Sequence, residues 1–179
     1  MFTTIYLMRH SKSMRHTYLK TSDSLQMQNE KKILTVDGEK IAEKISERNM
    51  FNDIDKVYSS NYIRAISTAK YFAHKNNLDI LIDENLGERK FGISSWDELP
   101  DDFERKQFID ENYKIGDGES QKEVCIRMYN SFVNILNENK NKKVLIVCHG
   151  TSMLYLLKKW CEVKLIDDKL ISIENIKYK

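Results

Sequence analysis

Apolar residues in this chain fall into short unbroken runs and longer helical stripes. The run Ile5-Tyr6-Leu7-Met8 ends abruptly on Arg9 and His10, and Val144-Leu145-Ile146-Val147-Cys148 runs straight into His149, Gly150 and Thr151. Unbroken runs of strand length are buried on both faces, as in a parallel sheet covered by helices. Val57-Tyr58 and Ile80-Leu81-Ile82 make two shorter strands between them. Thr35 caps a helix with Ile41, Ala42 and Ile45 on its inner face and Glu39, Lys40, Glu43 and Lys44 outside, closing near Asn49. Ser59 and Ser60 cap a second helix from about residue 62 to 75, packed through Ile66, Ala69 and Ala73. Ser120-Gln121-Lys122-Glu123 has the form of a capping box and opens a third, with Val124, Met128, Phe132 and Ile135 on one side. Met153, Leu157, Trp160 and Cys161 continue the helical period after the last buried strand, and residues 169–179 alternate weakly, as an edge strand does. Strands alternating with helices predict an α/β fold: a three-layer sandwich with a mostly parallel sheet flanked by helices.

Two stretches break the pattern. Residues 11–32 show little periodicity and read as a long connection, and long connections at ligand edges are commonly functional. Residues 89–118 carry Gly92, Trp96, the single Pro100, Phe103, Phe108 and Tyr113 in no regular order, and read as a lid over the C-terminal strand edge. At 179 residues the expectation is one domain spanning 1–179. Charge changes the picture only by exclusion. With 31% charged residues and a net charge of +2, no strong field favours nucleic acid or a membrane surface. Cys125, Cys148 and Cys161 lie in apolar stretches without metal-ligand spacing and read as buried free thiols in a reducing compartment. The apolar run after Met1 is too short for a signal peptide or a membrane span, so the expected location is cytoplasmic.

Candidate chemistry collects at the strand ends, because open parallel sheets bind ligands outside their carboxyl edges. The first strand delivers Arg9 and His10, the second Arg64 one turn into its helix, the third Glu88, and the fourth His149. Guanidinium groups grip phosphate in bidentate fashion and stay charged at any physiological pH. The helix start at Gly150 and Thr151 adds N–H groups and a positive dipole end. Such a site suits a dianion. Nearby arginines keep a histidine neutral, so that one ring nitrogen can attack phosphorus and form a phosphohistidine.

These residues resemble a known family. Leu7-Met8-Arg9-His10-Ser11-Lys12-Ser13 resembles the Arg-His-Gly signature of the histidine phosphatase superfamily, the phosphoglycerate mutase-like proteins. Leu34-Thr35-Val36-Asp37-Gly38 is similar to its Leu-Thr-x-x-Gly segment, and the stretch from Ser59 through Arg64 to Ala69 to its Ser-Ser-x-x-x-Arg-Ala-x-x-Thr-Ala motif. Glu88 stands in a match to its acid-bearing segment, Gly118-Glu119-Ser120 to its Gly-Glu-Ser, and Val147-Cys148-His149-Gly150 to its second histidine motif. The resemblance implies that His10 is the nucleophile, that Arg9, Arg64 and His149 hold the phosphoryl oxygens, and that Glu88 shuttles the leaving-group proton. Ser13 and Gly150 match phosphate-contacting positions, and neither a metal nor another cofactor is implied. Ser11 replaces the usual glycine, where a positive φ would be strained. His16 stands where asparagine is common and reads as an exposed loop residue or an extra ligand contact. His74 reads as structural or exposed, and Trp96 as a pocket wall or an anchor of the lid.

Within that family, mutases carry a longer insertion with basic residues that retain the intermediate. Here the cover is short, and Arg105 and Lys106 sit amid acids. The expected function is therefore metal-independent phosphomonoester hydrolysis of a small phosphorylated metabolite. Phosphoglycerate mutase action is the alternative within the family, and a non-catalytic phospho-ligand-binding module the alternative outside it.

Overall fold

The structure is a computed structural model that describes residues 2–15, 23–166 and 170–172; His16 lies outside the described residues. Strand β1 (Thr4–Arg9) is followed by helices α1 (Leu25–Glu30) and α2 (Val36–Ser46), then by β2 (Lys56–Ser59), α3 (Ile63–Lys75) and β3 (Ile80–Ile82). Helices α4 (Phe103–Ile109) and α5 (Gln121–Glu138) lead to β4 (Lys143–Cys148), α6 (Gly150–Leu157), and strands β5 (Lys164–Ile166) and β6 (Leu170–Ser172). The four-stranded sheet has the order β1-β4-β2-β3 and is parallel throughout. This is the α/β fold that the strand–helix alternation predicts. Among the described residues no helix is long and apolar enough to cross a membrane.

The central strand shows why its sequence is apolar without interruption. Every residue from Val144 to Cys148 is fully buried. Val144, Ile146 and Cys148 pack on one face with Val124, Met128 and Ile135 of α5 and Tyr155 and Leu156 of α6. Leu145 and Val147 pack on the other with Ala65, Ala69, Phe72 and Ala73 of α3 and with Phe51. Alternate side chains thus feed two cores, and each fully buried aliphatic one contributes about 1.5–3 kcal/mol. Register places the strand ends level: Arg9 pairs with Cys148 and Ser59 with Val147. Pairing runs one residue further, through His10 N–H to Cys148 O (2.9 Å) and Ser60 N–H to Val147 O (3.1 Å). His10, His149 and Ser60 consequently leave the sheet side by side.

Several local expectations need correcting. Helix α1 lies within the stretch read as a connection. It spans six residues, is capped by Ser24, and buries only Leu25 and Asn29, too little for a readable stripe. Thr35 does cap α2, its hydroxyl accepting from Gly38 N–H at 3.0 Å; Ala42 is buried and Ile45 packs half-buried against the core, but Ile41 is 44% exposed, and Gly38 and Ser46 are buried instead. Position 38 must be glycine because a Cβ there would lie 2.0 Å from Lys12 O. It ends at Ser46, and a 3-10 turn, Asn49–Phe51, follows. Tyr62, not Ser59 or Ser60, is the N-cap of α3, and the Ser60 hydroxyl is used elsewhere. Ser120 and Glu123 do form the capping box of α5. Strand β6 pairs antiparallel with β5 in a separate two-stranded sheet, so it is no edge of the main one; residues 173–179 lie outside the described residues. Cys148 and Cys161 are buried free thiols, whereas Cys125 is only half-buried.

Residues 89–118 are more ordered than their composition suggests. Arg89, 2% exposed, donates to Gln107 Oε1 (3.0 Å), Tyr155 Oη (3.1 Å) and Glu104 Oε1 (2.9 Å). Its guanidinium also lies 4.9 Å from the Phe91 ring centroid and 5.1 Å from that of Phe103. A desolvated cation is tolerated only with such a set of partners, so Arg89 ties α4 and its flanks to α6.

Candidate active site

His10 emerges from β1 with its ring pinned on two sides. Nδ1 lies 2.7 Å from Ser11 O, and a carbonyl oxygen can only accept, so Nδ1 carries the proton. The other nitrogen, Nε2, keeps its lone pair and accepts from Arg64 Nε–H at 3.0 Å. Burial, then Arg64, Arg9 and Lys32, lower the His10 pKa to about 4, against the opposing pull of the Ser11 carbonyl. At pH 7 this is a neutral imidazole with a directed lone pair.

The loop that holds it depends on the residue replacing the family's glycine. Ser11 does not have a positive φ. Its N–H donates to Thr68 Oγ1 at 3.0 Å and its hydroxyl to Gly38 O at 2.7 Å. Thr68 in turn donates to Arg64 O at 2.8 Å, so nucleophile loop and arginine share one hydrogen-bonded support. The positive φ that would strain a serine is not required at position 11, and the hydroxyl adds a bond that glycine could not make. Ser13 is half-buried at the lip of the loop and bridges to Leu34. A cavity of 480 Å³ lies behind this loop, between Arg9, His10, Ser11 and the α2 residues Ile41, Ala42 and Ile45. It includes neither Arg64, Glu88 nor His149, so it is not where the candidate groups converge.

Arg64 sits in the first turn of α3, 4% exposed, with a second N–H donated to Asn29 O and its guanidinium 4.8 Å from the Tyr62 ring centroid. His149 is fully buried at the N-cap of α6, its ring centroid 5.2 Å from that of His10 and 4.6 Å from that of Tyr62. Burial and then Arg64, His10, Arg127 and Arg9 hold its pKa well below the ordinary histidine range. Its Nε2 lies 2.7 Å from Ser60 Oγ, which already accepts from Tyr62 N–H at 3.3 Å. The hydroxyl and Nε2 are hydrogen-bonded whichever of the two donates, which leaves Nδ1 as the other ring nitrogen. That buried Nδ1 has no hydrogen-bond partner among the described residues. Arg9 lies against the start of α6: a Cβ at Gly150 would come within 3.2 Å of Arg9 Nε.

Glu88 occupies part of the helix start assigned to phosphate above. Oε1 accepts from Ser152 N–H and Arg89 N–H, both at 3.0 Å, and Oε2 from Thr151 N–H at 3.2 Å. The amides of Thr151 and Ser152 thus orient a carboxylate at the positive end of α6. His10, Arg64 and His149 meet directly, while Arg9 and Glu88 join them through the β4–α6 junction. His74 is exposed in the last turn of α3, and Trp96 packs on Phe91 with Lys32 Nζ 6.0 Å from its ring centroid, an anchor of the cover.

Some participants escape sequence reasoning. Tyr62 packs between Arg64 and His149, its hydroxyl accepts from Gln26 at 2.8 Å and donates to Glu88 O at 3.3 Å, and burial pushes its pKa up to about 12. Lys32, lowered to about 8 by burial and Arg64, lies close enough to bias His10. Asn29 contributes only a backbone carbonyl, which leaves no trace in residue type. Ser60 has a trace, the doubled serine, but it reads first as a cap.

Acid should destabilise the protein through His10. Its folded pKa lies below the 6.5 of the free side chain, so the unfolded chain binds more protons between those values. Stability is complete above pH 6.5 and falls as pH drops towards 4. Between pH 7 and 4.5 the expected loss from His10 is about 2 kcal/mol. Urea denaturation of the wild type and of His10→Ala at both pH values checks it, since the variant should lose that share of the dependence.

Comparison with known proteins matches this arrangement to a family. The family model of the histidine phosphatase superfamily (branch 1) matches residues 5–178. A probable phosphoglycerate mutase GpmB of Enterobacter sp. (strain 638) is 28% identical over 156 residues, 83% of this chain and 70% of the relative. The protein of the same description from Erwinia tasmaniensis is 30% identical over the same shares. Among solved structures, Bacillus stearothermophilus YhfR superposes with a TM-score of 0.71 at 21% identity, over 96% of this chain and 95% of that one. A phosphoserine phosphatase of Entamoeba histolytica in complex with 3-phosphoglyceric acid gives 0.68 at 22% identity, over 88% and 80%. A strand-end histidine aimed by an arginine, a second histidine at a helix start and a family match over nearly the whole length agree: the chain belongs to the histidine phosphatase superfamily.

Proposed function

We propose that this protein is a metal-independent phosphomonoesterase that works through a phosphohistidine at His10. The observation that carries the reading is the His10 Nε2 lone pair, held by Arg64 and flanked by the buried His149. In the first step the Arg64 N–H turns from Nε2 to a phosphoryl oxygen, the freed Nε2 lone pair bonds to phosphorus in line with the ester oxygen, and the P–O bond breaks. Arg9, Arg64 and His149 take the charge of the equatorial oxygens. Glu88 gives its proton to the departing alkoxide, then recovers one from the water that attacks the phosphohistidine. Inorganic phosphate leaves and His10 returns to its starting tautomer. The arginines supply the positive charge that such a displacement requires. A binding module would need no carboxylate such as Glu88 beside the phosphate cradle.

Hydrolysis rather than mutase action is supported by how the cover uses its cations. Arg89 is bound to Glu104, Lys106 to Asp102 (3.1 Å) and Lys114 to Glu123 (2.6 Å), so these three serve the protein itself. A mutase must instead grip a bisphosphorylated intermediate and keep water out. The relatives described as probable phosphoglycerate mutases keep that second reading open, and phosphoserine and 3-phosphoglycerate, bound by the Entamoeba neighbour, are sensible first substrates. The test is the partition of labelled 3-phosphoglycerate under a bisphosphoglycerate prime. Release of inorganic phosphate is expected to outrun formation of the 2-isomer. An isomer excess of about tenfold, ~1.4 kcal/mol in barrier, would establish the mutase instead.

A further inference from the structure

The Gly-Glu-Ser match and the long helix that follows it have no part in the chemistry above, yet both reach towards the proton donor. From the second turn of α5, Arg127 donates to three backbone carbonyls within four residues: Asn85 O at 2.7 Å, Gly87 O at 3.0 Å and Glu88 O at 3.1 Å. The same guanidinium makes a two-point pair with Glu119, Nε to Oε1 at 2.6 Å and a terminal nitrogen to Oε2 at 2.9 Å. Both side chains are less than one-fifth exposed, at 18% and 17%. Glu119 closes the circuit, because its Oε2 accepts from Lys90 N–H at 3.0 Å and its own N–H donates to Lys90 O at 2.9 Å. The backbone is thus clamped on both sides of Glu88. Residues 85–88 hang from Arg127, and residue 90 from Glu119.

We propose that Arg127, paired with Glu119, is a positioning residue for the Glu88 carboxylate; the proposal rests on the reading of Glu88 as proton donor. Five donors in a rigid plane meet three carbonyls and one carboxylate, a task that a single ammonium cannot repeat. With the clamp in place, the Glu88 backbone has one position relative to α6, and its carboxylate reaches Thr151 and Ser152 N–H without searching. Released, the segment would keep its fold through Leu86 and the buried Arg89 but lose the alignment of the acid. A misplacement of about 1 Å can cost on the order of 10²-fold in rate.

The experiment measures kcat and KM for Arg127→Gln, Arg127→Lys and Glu119→Gln across aryl and alkyl phosphates of rising leaving-group basicity, beside Glu88→Gln. The expected result is a fall in kcat of about tenfold to 100-fold for alkyl esters that shrinks to a few-fold for nitrophenyl phosphate, with KM little changed. Arg127→Lys should recover only a fraction of the loss, and Glu119→Gln should show the same leaving-group trend if Arg127 itself fails to fold. In the Glu88→Gln background, Arg127→Gln should cost almost nothing more, since both act through one carboxylate. A uniform loss over the series, or full additivity with Glu88→Gln, overturns the positioning role while leaving Glu88 as the acid. A flat series for Glu88→Gln itself overturns the acid assignment and the positioning proposal with it.

Discussion

Replacing His10 by alanine is expected to lower the hydrolysis of an aryl phosphate by roughly 10⁵-fold, the scale of losing a nucleophile whose partners remain in place. Arginines and His149 would still bind the dianion, so KM should move far less than kcat. The reason lies in the ring's fixed tautomer: the Nδ1 proton is held by Ser11 O and the Nε2 lone pair is turned to Arg64. His149, the other described histidine of the site, has its Nε2 engaged with Ser60 Oγ at 2.7 Å. Quenching the wild type with labelled substrate in alkaline denaturant should trap a base-stable, acid-labile phosphoenzyme, absent from the variant. The wild-type rate should survive a chelator. Full activity in the alanine variant would remove His10 as nucleophile, and loss of activity in chelator would remove the metal-free mechanism.

Glu88→Gln is the second large effect. The amide matches the carboxyl in shape, and its oxygen can still accept from the start of α6, so the fold should persist. It cannot give or take a proton at the leaving group, which for general acid catalysis amounts to a loss of about 10²–10⁴-fold. The loss should be greatest for alkyl esters, whose alkoxides are poor leaving groups, and smallest for nitrophenyl esters. Dephosphorylation should also slow, because water then lacks a base, so a phosphoenzyme should accumulate with activated substrates. An equal loss across the series would give Glu88 a structural role at the head of α6.

The sheet is legible because burial on both faces leaves no room for a polar residue: Val144 to Cys148 read as one strand, and His149 marks its end without ambiguity. The capping box at Ser120 is equally plain, since two side chains satisfy two amides at a fixed spacing. The inner face of α2 is legible only in part: Ala42 and Ile45 face inward, but Gly38 is buried through its closeness to the Lys12 carbonyl rather than through hydrophobicity, and Ile41 lies outside. In the site, the arginines, histidines and carboxylate at strand ends are legible by type, while Tyr62 is not. The Asn29 carbonyl is invisible, as any residue supplies one. Arg127 is likewise hidden, since on a half-exposed helix an arginine every few residues is ordinary and only the fold shows where it reaches. The Glu88–α6 contact inverts an expectation for the same reason: a helix start attracts anions, but the chain's own carboxylate arrives first.

The junction between β4 and α6 gathers four duties within four residues. His149 caps the helix, Gly150 admits Arg9, and Thr151 and Ser152 hold Glu88. Such crowding makes this side of the molecule resistant to drift, because any backbone adjustment there disturbs cation, donor and acid together. The opposite wall is freer: Ser24, Leu25 and Gln26 face Phe91, Gly92 and Ile93 across a separate cavity of 340 Å³, and none of those six carries a group of the candidate site. A lineage built on this plan can rewrite that wall while the β4–α6 junction stays as it is.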